Sequence, residues 1–276
     1  MILRQPPPSF VAPLFVPAVR PDRFAKAADS GADAIIVDLE DAVPIESKVA
    51  ARGNLASIQA LQVPAFIRIN GAGTPWHQDD LDVLARLGAV RVCVPKVETI
   101  ELLASIVTRL GPATQILAQI ETAAGVQNAA AIAAHPNVQQ LAFGPADFFL
   151  DMGGPSSRAL ALHVLARLAV ASRAAGKPLP LDGPTFILGD TGELDEECSA
   201  AAAHGAGGKL CIHPSQIRPT LAAFRPSEQE LAWARLVVEM DQGGAAMIVA
   251  GQMIDAPIVA RAKALLGRAA GPTSYP

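Results

Sequence analysis

The sequence predicts an α/β fold, a TIM (β/α)8 barrel with a C-terminal helical extension. Three observations predict it. The 276 residues suit a barrel, which needs about 250. Short β-rich apolar runs alternate with alanine-rich amphipathic stretches, the pattern of βα units around a parallel sheet. The runs also tend to end in polar or charged residues, as barrel strands do where they carry chemistry.

Eight runs read as strands: residues 14–16, 34–39, 65–69, 90–94, 115–120, 138–143, 179–181 and 209–212. Their continuous apolar character suits parallel strands covered on both faces. The seventh is short and flanked by prolines. Helices are expected over 21–30, opened by Pro21, and over 46–61, 78–87, 98–110, 123–134, 157–175, 193–204 and 214–224. A doubly wound open sheet is the competing architecture, but the strand count and the lack of a Gly-rich nucleotide loop favour the barrel. The barrel is expected over residues 1–225. The extension, 226–276, holds a helix over 227–240, with Ser227 as N-cap and Glu230 three residues on, then Gly243, Gly244, a short apolar run and a last helix over 257–266.

Composition narrows the function. The chain is 51% hydrophobic and 17% charged, with net charge −4. With no basic run, it is not expected to bind nucleic acid. Cys93, Cys198 and Cys211 form an odd, unpatterned set, as in a cytoplasmic protein with reduced thiols. Residues 1–10 lack the apolar core of a signal peptide, and no apolar run reaches the roughly 18 residues of a membrane span.

The polar strand ends form an ordered series: Asp38, Glu40 and Asp41; Arg68 and Asn70; Lys96; Glu121; Gly144–Asp147; Asp182; His213. Glu121 and Asp147 stand out, because two carboxylates completed by waters and substrate oxygen make a typical magnesium site. The bland alternative is that Glu121 favours the N-terminus of the next helix. Neither Cys nor His clusters with them, which argues against zinc. Arg68 lies inside an apolar run, where arginine is seldom found unpaired. It is read as binding a substrate carboxylate or holding a developing enolate oxygen, as pairing with Asp38, Glu40 or Asp41, or as doing both. A solvated turn is the bland reading of the three acids; at the end of a buried strand they would instead orient the metal or Arg68, and Glu40 and Asp41 count with Arg68 as catalytic candidates. Lys96 is a substrate-binding candidate and leaves a Schiff-base aldolase as a minor option. His213, before Pro214, reads as a turn hydrogen-bonder.

The segments Leu14-Phe15-Val16-Pro17, Arg20-Pro21-Asp22-Arg23-Phe24-Ala25-Lys26-Ala27, Asp38-Leu39-Glu40-Asp41-Ala42-Val43, Arg68-Ile69-Asn70, Pro95-Lys96, Ile120-Glu121-Thr122, Gly144-Pro145-Ala146-Asp147 and Ile212-His213-Pro214-Ser215-Gln216, with the Lys48–Arg52 spacing, resemble citrate lyase beta-subunit-like proteins of the HpcH/HpaI aldolase family. The resemblance implies a homo-oligomer, a trimer or hexamer, with Mg2+ (or Mn2+) on Glu121 and Asp147 and substrate contact by Arg68. Gly251-Gln252-Met253-Ile254-Asp255-Ala256-Pro257 is similar to the tail motif of the malyl-CoA and citramalyl-CoA lyase branch, which implies that Asp255 serves as acid/base from a neighbouring subunit. Two stretches depart from the pattern: Phe10-Val11-Ala12-Pro13 stands where the family often has Arg-Ser, and Asp182-Gly183-Pro184 differs from the commoner strand-seven sequence.

The implied activity is metal-dependent carbon–carbon cleavage of a 3-hydroxy-3-carboxy acyl-CoA to acetyl-CoA and a 2-oxo acid. Substrate contacts are then expected from Arg68, Glu121, Asp38, Lys96 and the backbone near Gly71 and Gly73. Arg20, Arg23 and Lys26 would meet the coenzyme A phosphates, although a solvated helix face explains them equally well. A thioesterase on the same metal site, a citrate lyase subunit acting on a carrier-bound thioester, and a non-catalytic partner subunit are the alternatives.

Overall fold

Eight parallel strands form one sheet in sequence order: β1 (Leu14–Pro17), β2 (Ile35–Asp38), β3 (Ala65–Arg68), β4 (Arg91–Val94), β5 (Gln115–Ile120), β6 (Val138–Phe143), β7 (Leu181–Asp182) and β8 (Gly208–Lys209). The computed structural model describes residues 9–88, 91–189, 192–241, 247–249 and 252–269. The sheet closes on itself. Phe15 donates its N–H to the Cys211 carbonyl at 2.8 Å, and Cys211 donates to the Pro13 carbonyl at 2.9 Å, so the fold is a (β/α)8 barrel. β2 is buried at all four positions, as a strand with helices outside and a filled interior must be.

The helices are α1 (Phe24–Ala28), α2 (Lys48–Gly53), α3 (His77–Leu87), α4 (Ile100–Leu110), α5 (Ala123–Ala134), α6 (Pro145–Met152), α7 (Arg158–Ala174), α8 (Glu193–Ala203), α9 (Ile217–Phe224), α10 (Glu228–Glu239) and α11 (Ala256–Ala269). Thr99, Thr122 and Ser157 cap α4, α5 and α7 by accepting a backbone N–H. None of the described helices is long and apolar enough to cross a membrane.

Several elements differ from expectation for physical reasons. The helix expected over 46–61 is broken into a 3-10 turn, α2 and a second 3-10 segment, Asn54–Ala60. Gly53 is a poor helix former, and the Asn54 side chain donates to the Ala18 carbonyl at 2.9 Å. The helix expected over 21–30 opens with a 3-10 turn before the short α1. Strand seven is shifted to Leu181–Asp182, because Pro178 and Pro180 have no N–H for a ladder. There the Leu179 carbonyl accepts from Gln140 Nε2 and the Pro180 carbonyl from Gly207 N–H. Strand eight is shorter than 209–212, with Cys211 paired to Leu14 only as an isolated bridge. The Gly144–Asp147 strand end opens α6, which sequence reasoning missed. Pro145 occupies its first turn. Val90, expected at the start of strand four, lies outside the described residues.

The chain forms two compact units, Ser9–Ala223 and a second from Phe224 onward. Within the second, α10 and α11 enclose a core of Ala234, Val237, Ile254, Val259, Ala262 and Leu265. Ser227 and Glu230 make the expected capping box. The unit also holds an antiparallel pair, β9 (Met247–Val249) and β10 (Gln252–Ile254), where the sequence reads as a short apolar run with no strands assigned. Gly243, Gly244 and Gly251 lie outside the described residues.

Candidate active site

Parallel register assembles the site. Asp38 pairs with Arg68 and Arg68 with Cys93 along β2, β3 and β4, so their side chains leave the same side of the sheet. Arg68 grips Asp38 with two hydrogen bonds, Nε to Oδ1 at 2.7 Å and Nη2 to Oδ2 at 2.6 Å. Its Nη1 lies 3.2 Å from both Glu40 Oε2 and Asp41 Oδ2. The guanidinium carbon stands 4.7 Å from the centre of the Phe15 ring. Burial alone would lower the Arg68 pKa, but Asp38, Glu40 and Asp41 outweigh it and hold the charge fixed. Asp38 also accepts the backbone N–H groups of Glu40 and Ala42, which fixes the acidic turn.

Lys96 joins this cluster to Glu121 and Asp147. Its backbone N–H donates to Glu121 Oε2 at 2.9 Å. Its Nζ lies 3.3 Å from Glu40 Oε1 and 3.2 Å from Asp147 Oδ1. Asp147 stands in the first turn of α6. Lys96 has φ +50°, the one positive value among the described non-glycine residues. Burial lowers its pKa, but Glu40, Glu121 and Asp147 raise it further. A firmly protonated ammonium is no nucleophile, which counts against the Schiff-base option.

The carboxylates are crowded. Burial pushes Glu121 up to about 8, and the charge of Glu40 adds to the effect. Burial likewise pushes Glu40 up to about 7, against the pull of Arg68. Glu40 Oε2 has no hydrogen-bond partner, and its approach to Arg68 is an ion pair without hydrogen-bond geometry. Buried, mutually repelling carboxylate oxygens are what a hard divalent cation relieves. Glu121 and Asp147 fit Mg2+ by donor type. No three His, Cys, Asp or Glu side chains form a metal-binding group among the described residues. Mg2+ does not require one, since it keeps several waters.

The remaining expected residues are spread around these. Gly71 follows β3 and its carbonyl accepts from Thr74 N–H and Oγ1. Gly73 is exposed nearby. Arg20, exposed after β1, is held by Asp22 through two hydrogen bonds, while Arg23 and Lys26 are exposed. Asp255 belongs to the second unit and caps α11, accepting the Ile258 N–H at 3.2 Å. His213 is a turn residue that takes part in a capping box with Gln216.

Sequence reasoning noted the Lys48–Arg52 spacing and Asn70 but gave the supports no role. Lys48 spends its ammonium on the carbonyls of Leu39 and Glu40 and on Asn70 Oδ1, each at 2.7 Å. Asp80 receives Asn70 and Arg52. Gly144 is needed for space: a Cβ there would come within 2.3 Å of Glu121 Oε1. The Lys48–Arg52 spacing and the Gly-Pro before Asp147 were the available signals.

Residues 12–214 match the HpcH/HpaI aldolase/citrate lyase family. The chain is 39% identical over 269 residues to a citrate lyase subunit beta-like protein of Mycobacterium tuberculosis, covering 95% of this chain and 96% of the relative. It is 31% identical to a (3S)-malyl-CoA thioesterase of Cereibacter sphaeroides over 94% of each chain. It is also 31% identical to an L-malyl-CoA/beta-methylmalyl-CoA lyase of that organism over 93% of each. The crystal structure of protein CitE from M. tuberculosis in complex with magnesium, acetoacetate and coenzyme A superposes with a TM-score of 0.82 at 37% identity, covering 98% of this chain and 100% of that one. With the family matched across the barrel and close relatives aligned nearly end to end, the chain belongs to the HpcH/HpaI aldolase/citrate lyase family.

Proposed function

We propose that the chain is a Mg2+-dependent carbon–carbon lyase. It cleaves a 3-hydroxy-3-carboxy acyl-CoA, such as malyl-CoA or citramalyl-CoA, to acetyl-CoA and a 2-oxo acid. The observation that carries this reading is the convergence of Glu121 and Asp147 on Lys96, beside the buried Arg68. Relatives that are lyases, and one solved with magnesium and coenzyme A, support it. Glu121 and Asp147 would hold the Mg2+ (or Mn2+), which when bound polarises the substrate hydroxyl and carboxylate oxygens.

The chain's own groups do the rest. Asp38 sets the plane of the Arg68 guanidinium, and Arg68 Nη1 stabilises negative charge on the thioester oxygen as the C–C bond breaks. Loss of one such donor typically costs about 3–4 kcal/mol in the barrier. Glu40, held at about 7, is assigned the hydroxyl proton, since a base works best near the operating pH. Asp41 balances the outer side of Arg68, and Lys96 orients the substrate carboxylate. The amides near Gly71 and Gly73 bind the nascent 2-oxo acid, and Arg20, Arg23 and Lys26 take the coenzyme A phosphates. Asp255, supplied by the tail of a neighbouring subunit in a trimer or hexamer, protonates the enolate carbon. Mixing Asp255→Asn with Glu121→Ala protein should then restore activity that neither has alone, and a fully active monomer would refute the shared site.

The test of the reaction is an assay with malyl-CoA and citramalyl-CoA, with Mg2+ or EDTA, following 2-oxo acid and free CoA separately. Metal-dependent 2-oxo acid release, lost in Glu121→Ala, establishes the lyase. Free CoA without 2-oxo acid makes it a thioesterase, the second reading, which the thioesterase relative favours.

A further inference from the structure

Beneath Glu121 lies a buried chain of neutral groups that the reaction itself does not use. Gln119 precedes Glu121 by two residues at the end of β5, so the two side chains share a face. Gln119 is 2% exposed, Cys93 0% and Glu121 2%. Cys93 Sγ lies 3.0 Å from Gln119 Oε1 and donates to it. Gln119 Nε2 donates to Glu121 Oε1 at 3.0 Å.

We propose that Gln119 is a positioning residue for Glu121, and that the Cys93 thiol fixes which way its amide faces. An amide can sit in two orientations, and only one is useful here. With Nε2 toward Glu121, the ionised, acceptor-only carboxylate that a metal requires gains a donor. The flipped orientation sets two oxygens against each other and leaves the thiol facing an NH2 that cannot accept its proton. Burial pushes the Cys93 thiol pKa well up, which keeps it a donor. The main chain of Gln119 adds to the brace. Its carbonyl takes the Val97 N–H at 3.0 Å, next to the Lys96 N–H that holds the other Glu121 oxygen. Glu121 is thus gripped at Oε1 by Gln119 and at Oε2 by the Lys96 amide that follows β4. Groups of this kind around metal ligands commonly govern metal affinity by about 10–100-fold.

The inference rests on the reading of Glu121 as a magnesium ligand. Its test is calorimetric titration of the full chain with Mg2+ alone, with thermal midpoints recorded for each variant. The expected results are that Gln119→Met weakens Mg2+ binding about tenfold or more while remaining folded, and that Cys93→Ser binds more tightly than Cys93→Ala because the hydroxyl still donates. Gln119→Met binding within about twofold of the parent overturns the proposal, as does equal weakening in the two Cys93 variants. If Gln119→Met does not fold, the Cys93 pair decides. A parent protein that takes up no Mg2+ overturns the metal reading and this inference together. Normal uptake lost in Glu121→Ala but not in Gln119→Met overturns this inference alone.

Discussion

At the ends of β2 to β6, Asp38, Glu40, Asp41, Glu121 and Asp147 gather around Arg68 and Lys96. At the ends of β7 and β8, Asp182 and Glu197 share the buried Lys209, at 2.7 and 3.0 Å. Thr185 also donates its hydroxyl to Glu197, and its carbonyl accepts from Gln216 Nε2. Both groups are ionic and both gather at strand ends, the second with Glu197 reaching in from α8, but they are built differently. The second ties one ammonium to two carboxylates and braces the following loop. The first leaves Glu40 Oε2 without a hydrogen bond and raises Glu40 to about 7 and Glu121 to about 8. A hydrogen-bonded ion cluster is architecture, while one that leaves a buried acid oxygen unbonded and its carboxyl pKa values raised is prepared for a cation or a proton.

Four changes would break or sharpen that contrast. Lys209→Met should have the largest effect, about 3 kcal/mol lost in urea unfolding, because it removes the buried cation that two half-buried carboxylates share. The folded fraction should still bind Mg2+ as before, and a parallel loss of metal affinity would erase the distinction between the two clusters. Arg68→Lys keeps the charge and loses the two-pronged grip on Asp38. Release of 2-oxo acid should fall by about a hundredfold or more, with a smaller loss in urea stability than Lys209→Met shows.

The third change is pH. Glu121 and Glu40 are raised from 4.5 to about 8 and about 7, so the folded chain binds protons that the unfolded chain has released. Without metal, their contribution to stability is full below pH about 4.5 and declines as pH rises toward about 8. The thermal midpoint should follow that fall, Mg2+ should reverse it, and Glu121→Gln should flatten it. The smallest effect is expected away from both clusters: Ser227→Ala opens the α10 capping box for about 1 kcal/mol of stability, with Mg2+ affinity unchanged.

The order of the strands was legible because apolar, β-branched runs such as Ile35-Ile36-Val37 have few other uses. What failed was local: prolines shifted the pairing at β7, and a tertiary bond from Asn54 split a continuous helical pattern. Asp38, Arg68 and Glu121 announced themselves as charges within or beside apolar runs. Asp147 was noticed, though its helix was not, because Gly144-Pro145 reads as a strand ending as readily as a helix opening. Gln119, Cys93 and Asp80 were illegible. A Gln and a Cys inside strands carry no charge to flag them, and an acid in the first turn of a helix looks like ordinary dipole compensation. Only the packing of strands and helices in the folded chain reveals what they touch.

Lys96 combines two devices in one residue. Its ammonium meets Glu40 and Asp147, while its main-chain amide, turned by a positive φ, holds Glu121. Side-chain replacement can reach only the first. An alanine at this position would strip the counter-charge and leave the amide in place, and a glycine would do the same while easing a backbone shape that lysine adopts at a cost. A mutational scan would therefore credit Lys96 with its charge alone and overlook the peptide group that anchors Glu121.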